Sequence, residues 1–147
     1  MAEPALTDAI QDYLKEIYKL QQDDSRVSVT ALAKEQRVAA ASASEMVKKL
    51  AALELVEHEP YRGVRLTPAG ERVALEVIRH HRLLELYLAE TLGLHVDDVH
   101  AEADRLEHVL SEELEAKIDR ALGFPTHDPH GDPIPNAALE WPKSRAG

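Results

Sequence analysis

Histidine and carboxylate side chains recur at helical spacing in two stretches of the second half of the chain. The set comprises His81 and Glu85, followed by His100, Asp104, Glu107 and His108. Side chains three or four residues apart share one face of a helix, so each stretch predicts a cluster that points in one direction. Imidazole and carboxylate groups without sulfur suit a divalent ion such as Mn²⁺, Fe²⁺ or Zn²⁺. The spacing therefore predicts a metal site built from two helices.

The histidine at position 81 has a competitor at position 80. His80 stands four residues after Glu76, just as His81 stands four residues before Glu85. Pairs of this kind are also common on solvated helix surfaces, and periodicity alone does not choose between the two histidines. The group of four that begins at position 100 is the stronger pattern, because all four potential ligands are expected on one helical face.

Three predicted helices precede this region. Apolar residues at helical spacing predict a first helix from about residue 6 to residue 22. A cap at Ser28 or Thr30 predicts a short second helix that ends near Arg37. A turn of small residues then leads into a third helix, predicted over residues 42–53. Two short helices joined by a tight turn form a helix-turn-helix.

A predicted hairpin follows the third helix. Strand-like runs at residues 55–58 and 64–67 flank a turn that contains Pro60 and Gly63. A hairpin in this position is the wing of a winged helix. Pro68 opens a long helix that runs to about residue 92, and a single further helix is predicted over residues 99–122. Residues 124–136 hold four prolines and predict extended coil.

Composition limits the class of protein. The chain has 147 residues, a net charge of −10 and no cysteine, which excludes disulfides, thiolate zinc sites and cysteine nucleophiles. The acidic excess is uneven, since residues 26–72 hold 8 Lys and Arg against 6 Asp and Glu. This segment can therefore face phosphates while the rest attracts cations. No apolar run is long enough for a membrane span and the N-terminus lacks a secretory pattern, so we expect a cytoplasmic protein without a membrane partner.

Metal-dependent catalysis is the rival use of such a site. The sequence contains no H-E-x-x-H pair, no Ser/His/Asp set and no glycine-rich loop for phosphates. A catalytic metal site must also keep an open position, whereas a sensor site is usually filled by protein ligands. We therefore expect neither an enzyme nor an organic substrate.

Three stretches together resemble a known family. They are RHHRLLE at residues 79–85, VHAEADRLEHVLS at residues 99–111 and PHGDPIP at residues 129–135. With the predicted winged helix, they resemble the diphtheria-toxin-repressor family of metal-dependent transcriptional repressors, and within it the manganese transport regulators. The resemblance covers essentially the whole chain. It implies a homodimer that binds a palindromic double-stranded DNA operator and controls metal-ion homeostasis genes.

The resemblance also implies a ligand set for two neighbouring metal sites. The implied primary ligands are Asp12, which precedes Tyr13 and Leu14, together with Asp104, Glu107 and His108. The implied ancillary ligands are His81, Glu85 and His100, and in binuclear manganese regulators His81 also joins the manganese pair. The family pattern thus selects His81 over His80.

Two departures from the family pattern bear on the metal. Iron-type members have methionine and cysteine at the positions of Asp12 and Asp104, so two carboxylates here favour Mn²⁺. Some manganese regulators add a glutamate three residues after the first aspartate, but Lys15 stands there and cannot ligate, which argues against a binuclear site of that type. Larger members carry an SH3-like third domain, so the chain is either a short member or a longer protein cut at the linker.

DNA contacts are expected from the third helix, which should enter the major groove. The resemblance assigns Ser42 and Glu45 to base edges, where a glutamate can accept from cytosine N4. We expect Ser44, Lys48 and Lys49 to bind phosphates. Arg37 is expected at the turn, and Tyr61 and Arg62 at the tip of the wing are expected to contact the DNA backbone or the minor groove. The alternative is that the lysines are ordinary solvated charges and that Ser42 is a cap. Small side chains supply few base contacts, so DNA shape should carry much of the specificity.

The expected fold class is mainly α, with an N-terminal winged helix-turn-helix over residues 1–72. An all-helical metal-binding and dimerisation domain with a Pro-rich tail should occupy residues 73–147. The expected function is that of a manganese-responsive homodimeric repressor, with Mn²⁺ as cofactor. Three alternatives remain open: an Fe²⁺-responsive regulator of the same family, a winged-helix regulator with an organic effector, and a metalloenzyme or metal buffer without specific DNA binding.

Overall fold

Six helices and one two-stranded antiparallel sheet make up residues 6–21 and 25–143, the part of the chain that this computed structural model describes. The elements are α1 (Asp8–Leu20), α2 (Val29–Gln36), α3 (Ala40–Ala52), β1 (Val56–Glu59), β2 (Gly63–Leu66), α4 (Pro68–Glu90), α5 (Val99–Leu106) and α6 (Glu112–Ala121). They divide into an N-terminal unit up to Ala74 and a C-terminal unit from Leu75 onwards. The expected mainly α fold class is confirmed. No helix among the described residues combines the length and hydrophobicity that a membrane span requires.

The N-terminal unit is built on three helices whose starts are fixed by local capping. The hydroxyl of Thr7 accepts from the Ile10 amide at 3.1 Å, and that of Ser28 accepts from the Ala31 amide at 3.0 Å. Both satisfy an amide that the first helical turn leaves without a partner. The buried faces of the helices form one core with the sheet, including Leu14, Ile17, Leu32, Val47 and Leu50. α1 ends at Leu20, and the predicted end at residue 22 lies outside the described residues.

The helix-turn-helix is formed by α2, α3 and a left-handed residue between them. Arg37 ends α2 with φ of 56°, and its amide bonds back to the carbonyls of Ala33 and Lys34. α3 begins at Ala40, two residues before the predicted start, and its cap residue Ala39 makes no side-chain bond. Ser42 therefore lies in the first turn of α3 and does not cap it, so that alternative is wrong.

The wing is the antiparallel pair of β1 and β2. Val56 pairs with Leu66 and Glu59 with Gly63, and Val64 also exchanges two backbone bonds with Val27, at 2.7 and 2.8 Å. Gly63 has φ of 101°, and a Cβ there would stand 2.4 Å from the Val27 carbonyl oxygen. Only glycine fits this close approach at this backbone angle.

The predicted helix over residues 99–122 is wrong as a single element. The structure has two helices, α5 and α6, with a break at residues 107–111. Ser111 causes a restart, because its hydroxyl accepts from the Leu114 amide at 3.1 Å and three glutamates in the first turn favour the positive helix end. Glu107 is the C-cap of α5 and His108 lies in the turn beyond it. Glu107 and His108 therefore lie beyond the last residue of α5, whereas His100 and Asp104 lie within it.

Residues 124–143, which we call the C-terminal strap, fold back instead of running as the predicted extended coil. The amide of Ile134 bonds to the Thr126 carbonyl, and that of Asp128 to the Asp132 carbonyl, both at 2.8 Å. These bonds close a loop over residues 126–134. Ile134 is buried in the core of the C-terminal unit with Leu83 and Ile118, which fixes the loop against α4 and α6.

A buried arginine joins the strap to two helices. The Arg79 guanidinium donates to Glu115 at 2.9 Å, to Asp119 at 3.0 Å and to the carbonyl of Pro135 at 3.0 Å. The pKa of the Glu115 carboxyl lies below its usual range: burial alone would raise it, but hydrogen bonds and charges from His80 and Arg79 outweigh burial.

Arg79→Met should destabilise the C-terminal unit by about 3–5 kcal/mol, because it leaves two carboxylates in a buried site without their cation. Urea unfolding of the metal-free protein measures the change. Arg105→Met removes an exposed arginine that pairs with Glu102 on the surface of α5, and it should cost less than about 0.5 kcal/mol. Equal losses in the two variants would contradict the role given to Arg79.

Candidate metal centre

His81 stands at the centre of the candidate site. It is buried on α4, and its Nδ1 lies 3.1 Å from Glu107 Oε2 and 3.4 Å from Asp104 Oδ1. Its Nε2 lies 3.3 Å from Glu85 Oε1 and 3.2 Å from His100 Nδ1. Both ring nitrogens therefore face groups that can bind a cation.

The first ligand group joins α4 to α5. Ligand atoms of His81, His100 and Asp104 all lie within 4.8 Å of one another. His100 Nε2 is 3.3 Å from Asp104 Oδ2, as expected for residues four apart on a helix. The Asp104 side chain is 45% exposed, so this group opens towards solvent on one side.

The second ligand group joins α4 to the strap. Ligand atoms of Glu85, Asp128 and His130 also lie within 4.8 Å of one another. Asp128 Oδ1 accepts from the amides of His130 and Asp132 at 2.8 Å, which leaves Oδ2 as the atom available to a ligand. Asp128 Oδ2 and Glu85 Oε2 are both buried, and neither has a hydrogen-bond partner.

Sequence reasoning missed Asp128 and His130. They lie in the tail stretch that carried part of the family resemblance, but periodicity assigns no face to residues outside a helix. A usable pattern was present, since an aspartate and a histidine two residues apart sit in a loop stiffened by Pro129 and Pro133.

A divalent cation fits this arrangement of donors. A buried carboxylate oxygen without a partner is costly, and a cation within reach of Glu85 and Asp128 would remove that cost for both. Burial raises the pKa of the Glu85 carboxyl, but the hydrogen bond and charge of His81, with the charges of His130 and His100, outweigh it and lower the pKa. Glu85 is thus held as an anion, the form in which a carboxylate binds metal.

The remaining predicted ligands lie at the end of α5 and on α1. Glu107 is 1% exposed, and its Oε1 lies 3.6 Å from His108 Nε2 while Oε2 faces His81. The Glu107 and His108 side chains therefore lie side by side although the helix ends here. Asp12 lies in α1 of the N-terminal unit, with a partly buried side chain.

His80 is oriented away from the ligand groups. Its Nδ1 is 3.2 Å from the Glu107 carbonyl oxygen, and its Nε2 is 2.7 Å from Glu115 Oε1. Burial lowers the pKa of His80, but the hydrogen bond and charge of Glu115, with smaller contributions from Glu107 and Glu76, raise it overall. Both nitrogens are therefore engaged in holding α6 and the backbone of Glu107.

The predicted DNA-contacting residues fall on the exposed parts of the N-terminal unit. Ser42, Glu45, Lys48 and Lys49 are exposed on α3, Ser44 is partly buried there, Arg37 is exposed at the end of α2, and Tyr61 and Arg62 lie in the turn of the wing. Lys48 pairs with Glu45 at 3.7 Å in the absence of DNA. This pair would have to open before either side chain could reach DNA.

Comparison with known proteins places the chain in a family. Residues 5–64 match the iron dependent repressor N-terminal DNA binding domain, and residues 67–136 match the iron dependent repressor metal binding and dimerisation domain. The chain belongs to this family of metal-dependent transcriptional repressors, and the resemblance inferred from its motifs is confirmed.

Individual relatives include two curated transcriptional regulators and a solved manganese-dependent repressor. The diphtheria toxin repressor of Corynebacterium efficiens is 35% identical over 133 residues, which is 90% of this chain and 58% of that protein. A helix-turn-helix-type transcriptional regulator of Methanocaldococcus jannaschii is 36% identical, over 74% of this chain and 88% of that protein. A solved manganese-dependent transcriptional repressor in complex with manganese is 48% identical, with a TM-score of 0.83, over 92% of this chain and 62% of that one. The chain thus spans about three fifths of several relatives.

Mn²⁺ should raise the free energy of unfolding of the protein by about 2.7 kcal/mol when free Mn²⁺ is about 100 times the dissociation constant. The reason is that the unfolded chain does not assemble the carboxylates and histidines. Thermal unfolding with Mn²⁺ and then with excess EDTA measures the difference. The double variant Glu85→Gln, Glu107→Gln should lose most of it, and a full shift in that variant would show that the ion binds elsewhere.

Proposed function

We propose that this chain is a Mn²⁺-responsive, homodimeric DNA-binding repressor of metal-ion homeostasis genes, acting in the cytoplasm. The observation that carries the proposal is the pair of buried carboxylate oxygens of Glu85 and Asp128, which have no hydrogen-bond partner and stand beside histidine nitrogens. The family descriptions of its two domains support DNA binding and dimerisation.

The donor set favours Mn²⁺ over later metals. The proposed ligands supply only oxygen and nitrogen, and the chain contains no cysteine. Hard oxygen ligands suit Mn²⁺, which binds weakest in the divalent series and gains least from sulfur. The 48% identical solved relative is manganese-dependent by name. Fe²⁺ is the second candidate, because other relatives are named iron-dependent repressors.

Two ligand sets are proposed. One comprises Asp12, Asp104, Glu107 and His108, as the family resemblance implies, and the other comprises His81, Glu85 and His100, to which the structure adds Asp128 and His130 as candidates. A bound divalent ion would supply positive charge to carboxylates that otherwise repel one another. Asp12 belongs to α1 of the DNA-binding unit, so its participation would couple metal binding to DNA binding.

DNA recognition is assigned to α3 and the wing. The exposed polar residues of α3 would enter the major groove, with Tyr61 and Arg62 of the wing against the backbone or the minor groove. A homodimer would then read a palindrome whose half-sites lie about 34–36 Å apart, or a multiple of this spacing. The exposed apolar side chains of the C-terminal unit, including Leu106, Val109 and Leu114, are available for the dimer contact.

The deciding experiment selects a binding duplex from a random pool in the presence of Mn²⁺ and then measures its affinity by fluorescence anisotropy. Titrations with Mn²⁺, Fe²⁺ and Zn²⁺, each reversed by EDTA, should show tight DNA binding only when a metal ion is present. When each metal concentration is divided by the dissociation constant of that metal for the protein, Mn²⁺ should activate DNA binding at the lowest ratio. A duplex affinity that ignores EDTA would instead indicate a metal-independent regulator. Metal binding without any enriched duplex would indicate a metal buffer.

Glu107→Ala and His108→Ala should each abolish Mn²⁺-dependent DNA binding while the helical circular dichroism spectrum is retained. Each removes one proposed ligand and leaves the other charges unbalanced. Glu113→Ala is the matched control, because Glu113 is an exposed glutamate on α6 that pairs with the exposed Lys117. A wild-type response to Mn²⁺ in either ligand variant would remove these residues from the site.

Replacing Asp12 with methionine and Asp104 with cysteine should move the response from Mn²⁺ towards Fe²⁺ or Co²⁺. Sulfur ligands favour the later and softer metals, while Glu107 and His108 remain to hold the ion. Side-by-side anisotropy titrations of the parent and the double variant with each metal measure the order. If both rank Mn²⁺ and Fe²⁺ alike, ligand softness does not set the selectivity of this protein.

A further inference from the structure

The strap carries two candidate ligands but is held to α4 by residues that bind no metal. Asp128 and His130 lie in the loop closed by the Thr126–Ile134 and Asp128–Asp132 backbone bonds. The contacts between this loop and α4 set the distance between Asp128 Oδ2 and Glu85 Oε2. One ion can bind both atoms only if that distance is short.

Two arginines one turn apart on α4, Arg79 and Arg82, hold the strap by hydrogen bonds to its backbone. Arg82 Nη1 donates to the Pro133 carbonyl at 2.7 Å, and Arg79 Nη1 donates to the Pro135 carbonyl at 3.0 Å. The Arg82 guanidinium also stands 5.8 Å from the centre of the Trp141 ring, within cation–π range. Arg82 thus contacts the strap at the end of the ligand loop and again near residue 141.

The Pro133 carbonyl lies next to the backbone that holds Asp128. The ring of Pro133 fixes its own φ and disfavours helical backbone at Asp132. The Asp132 amide donates to Asp128 Oδ1, and the Asp132 carbonyl accepts from the Asp128 amide, both at 2.8 Å. A bond to the Pro133 carbonyl therefore acts on Asp128 through the adjacent Asp132. Buried Ile134 attaches the strap by apolar packing, which is not directional. The hydrogen bond from Arg82 to the Pro133 carbonyl is directional, so it also fixes the orientation of the loop.

We propose that Arg82 is a positioning residue for the metal site: by holding the Pro133 carbonyl it sets Asp128 and His130 opposite Glu85. This inference rests on the proposed metal-binding function. Arg82 itself neither binds the ion nor reads DNA. Arg82 follows His81 directly on α4 and stands three residues before Glu85, so one helix carries two of the proposed ligands and the residue that holds the strap.

The Arg82→Met variant distinguishes a charge effect from a positioning effect, because the two change the affinity for metal in opposite directions. Removing a positive charge near a cation site should strengthen metal binding by Coulomb's law. Loss of a positioning contact should instead weaken it, by about 10–100-fold, as for other residues that orient metal ligands indirectly. Arg105→Met, which removes an exposed positive charge from α5, is the matched control, and Arg82→Lys retains the charge and one donor.

The first measurement is made on metal-free protein. Hydrogen exchange of the His130 and Asp132 amides, both bonded to Asp128 Oδ1, should accelerate in Arg82→Met and remain at the parent rate in Arg105→Met. Acrylamide quenching of Trp141, the only tryptophan of the chain, should increase in the same variant. If hydrogen exchange and tryptophan quenching are unchanged in Arg82→Met, Arg82 does not position the strap, whatever the result of the metal titration.

The second measurement counts free Mn²⁺ by electron paramagnetic resonance during a titration. Arg82→Met should weaken one class of site about 10–100-fold, Arg82→Lys should restore part of that loss, and Arg105→Met should match the parent. Parent-like or tighter Mn²⁺ binding in Arg82→Met would overturn the inference. If the Mn²⁺ titration of Asp128→Asn matches that of the parent protein, Asp128 is not a metal ligand. This outcome rejects the proposed metal site and is distinct from a result that rejects only the role of Arg82.

Discussion

Burial of like charge is the constraint on which the C-terminal unit depends. Glu85, Glu107 and Asp128 are all nearly inaccessible to solvent, and they converge on a few histidines from three separate segments. Removing a carboxylate from water costs several kcal/mol unless a cation or hydrogen bonds compensate for it. Histidines compensate in part. The two buried oxygen atoms without a hydrogen-bond partner, Glu85 Oε2 and Asp128 Oδ2, mark the place where a divalent ion would supply the remaining positive charge. A divalent ion bound there would thereby stabilise this unit.

The helices around these carboxylates are held together by Arg79 and His80, whose side chains are directed away from the candidate metal site. Arg79 binds α6 and the strap, and His80 joins α6 to the backbone of Glu107, so two supporting residues directly precede His81 on α4. Such supporting contacts orient metal ligands and restrict the geometries that they can adopt. The break after α5 serves the same end, because the turn brings Glu107 and His108 side by side beside α4.

The sequence predicted most of the fold and only part of the site. Caps at Thr7 and Ser28 and glycine at position 63 act locally, so helix starts and the wing follow from neighbouring residues. The break at residues 107–111 was missed because apolar spacing continues through it, although Ser111 before three acidic residues marks a helix start. Asp128 and His130 were missed because loop closure brings them to Glu85, and helical periodicity contains no information about contacts 40 residues apart.

The most direct test of this account is an anomalous difference map at the manganese absorption edge from crystals grown with Mn²⁺. The account predicts a peak coordinated by Glu85 Oε2 and Asp128 Oδ2, with a nitrogen of His130 in the same coordination sphere. An ordered structure with Mn²⁺ bound only at exposed carboxylates, and these two oxygen atoms still without a partner, would contradict it.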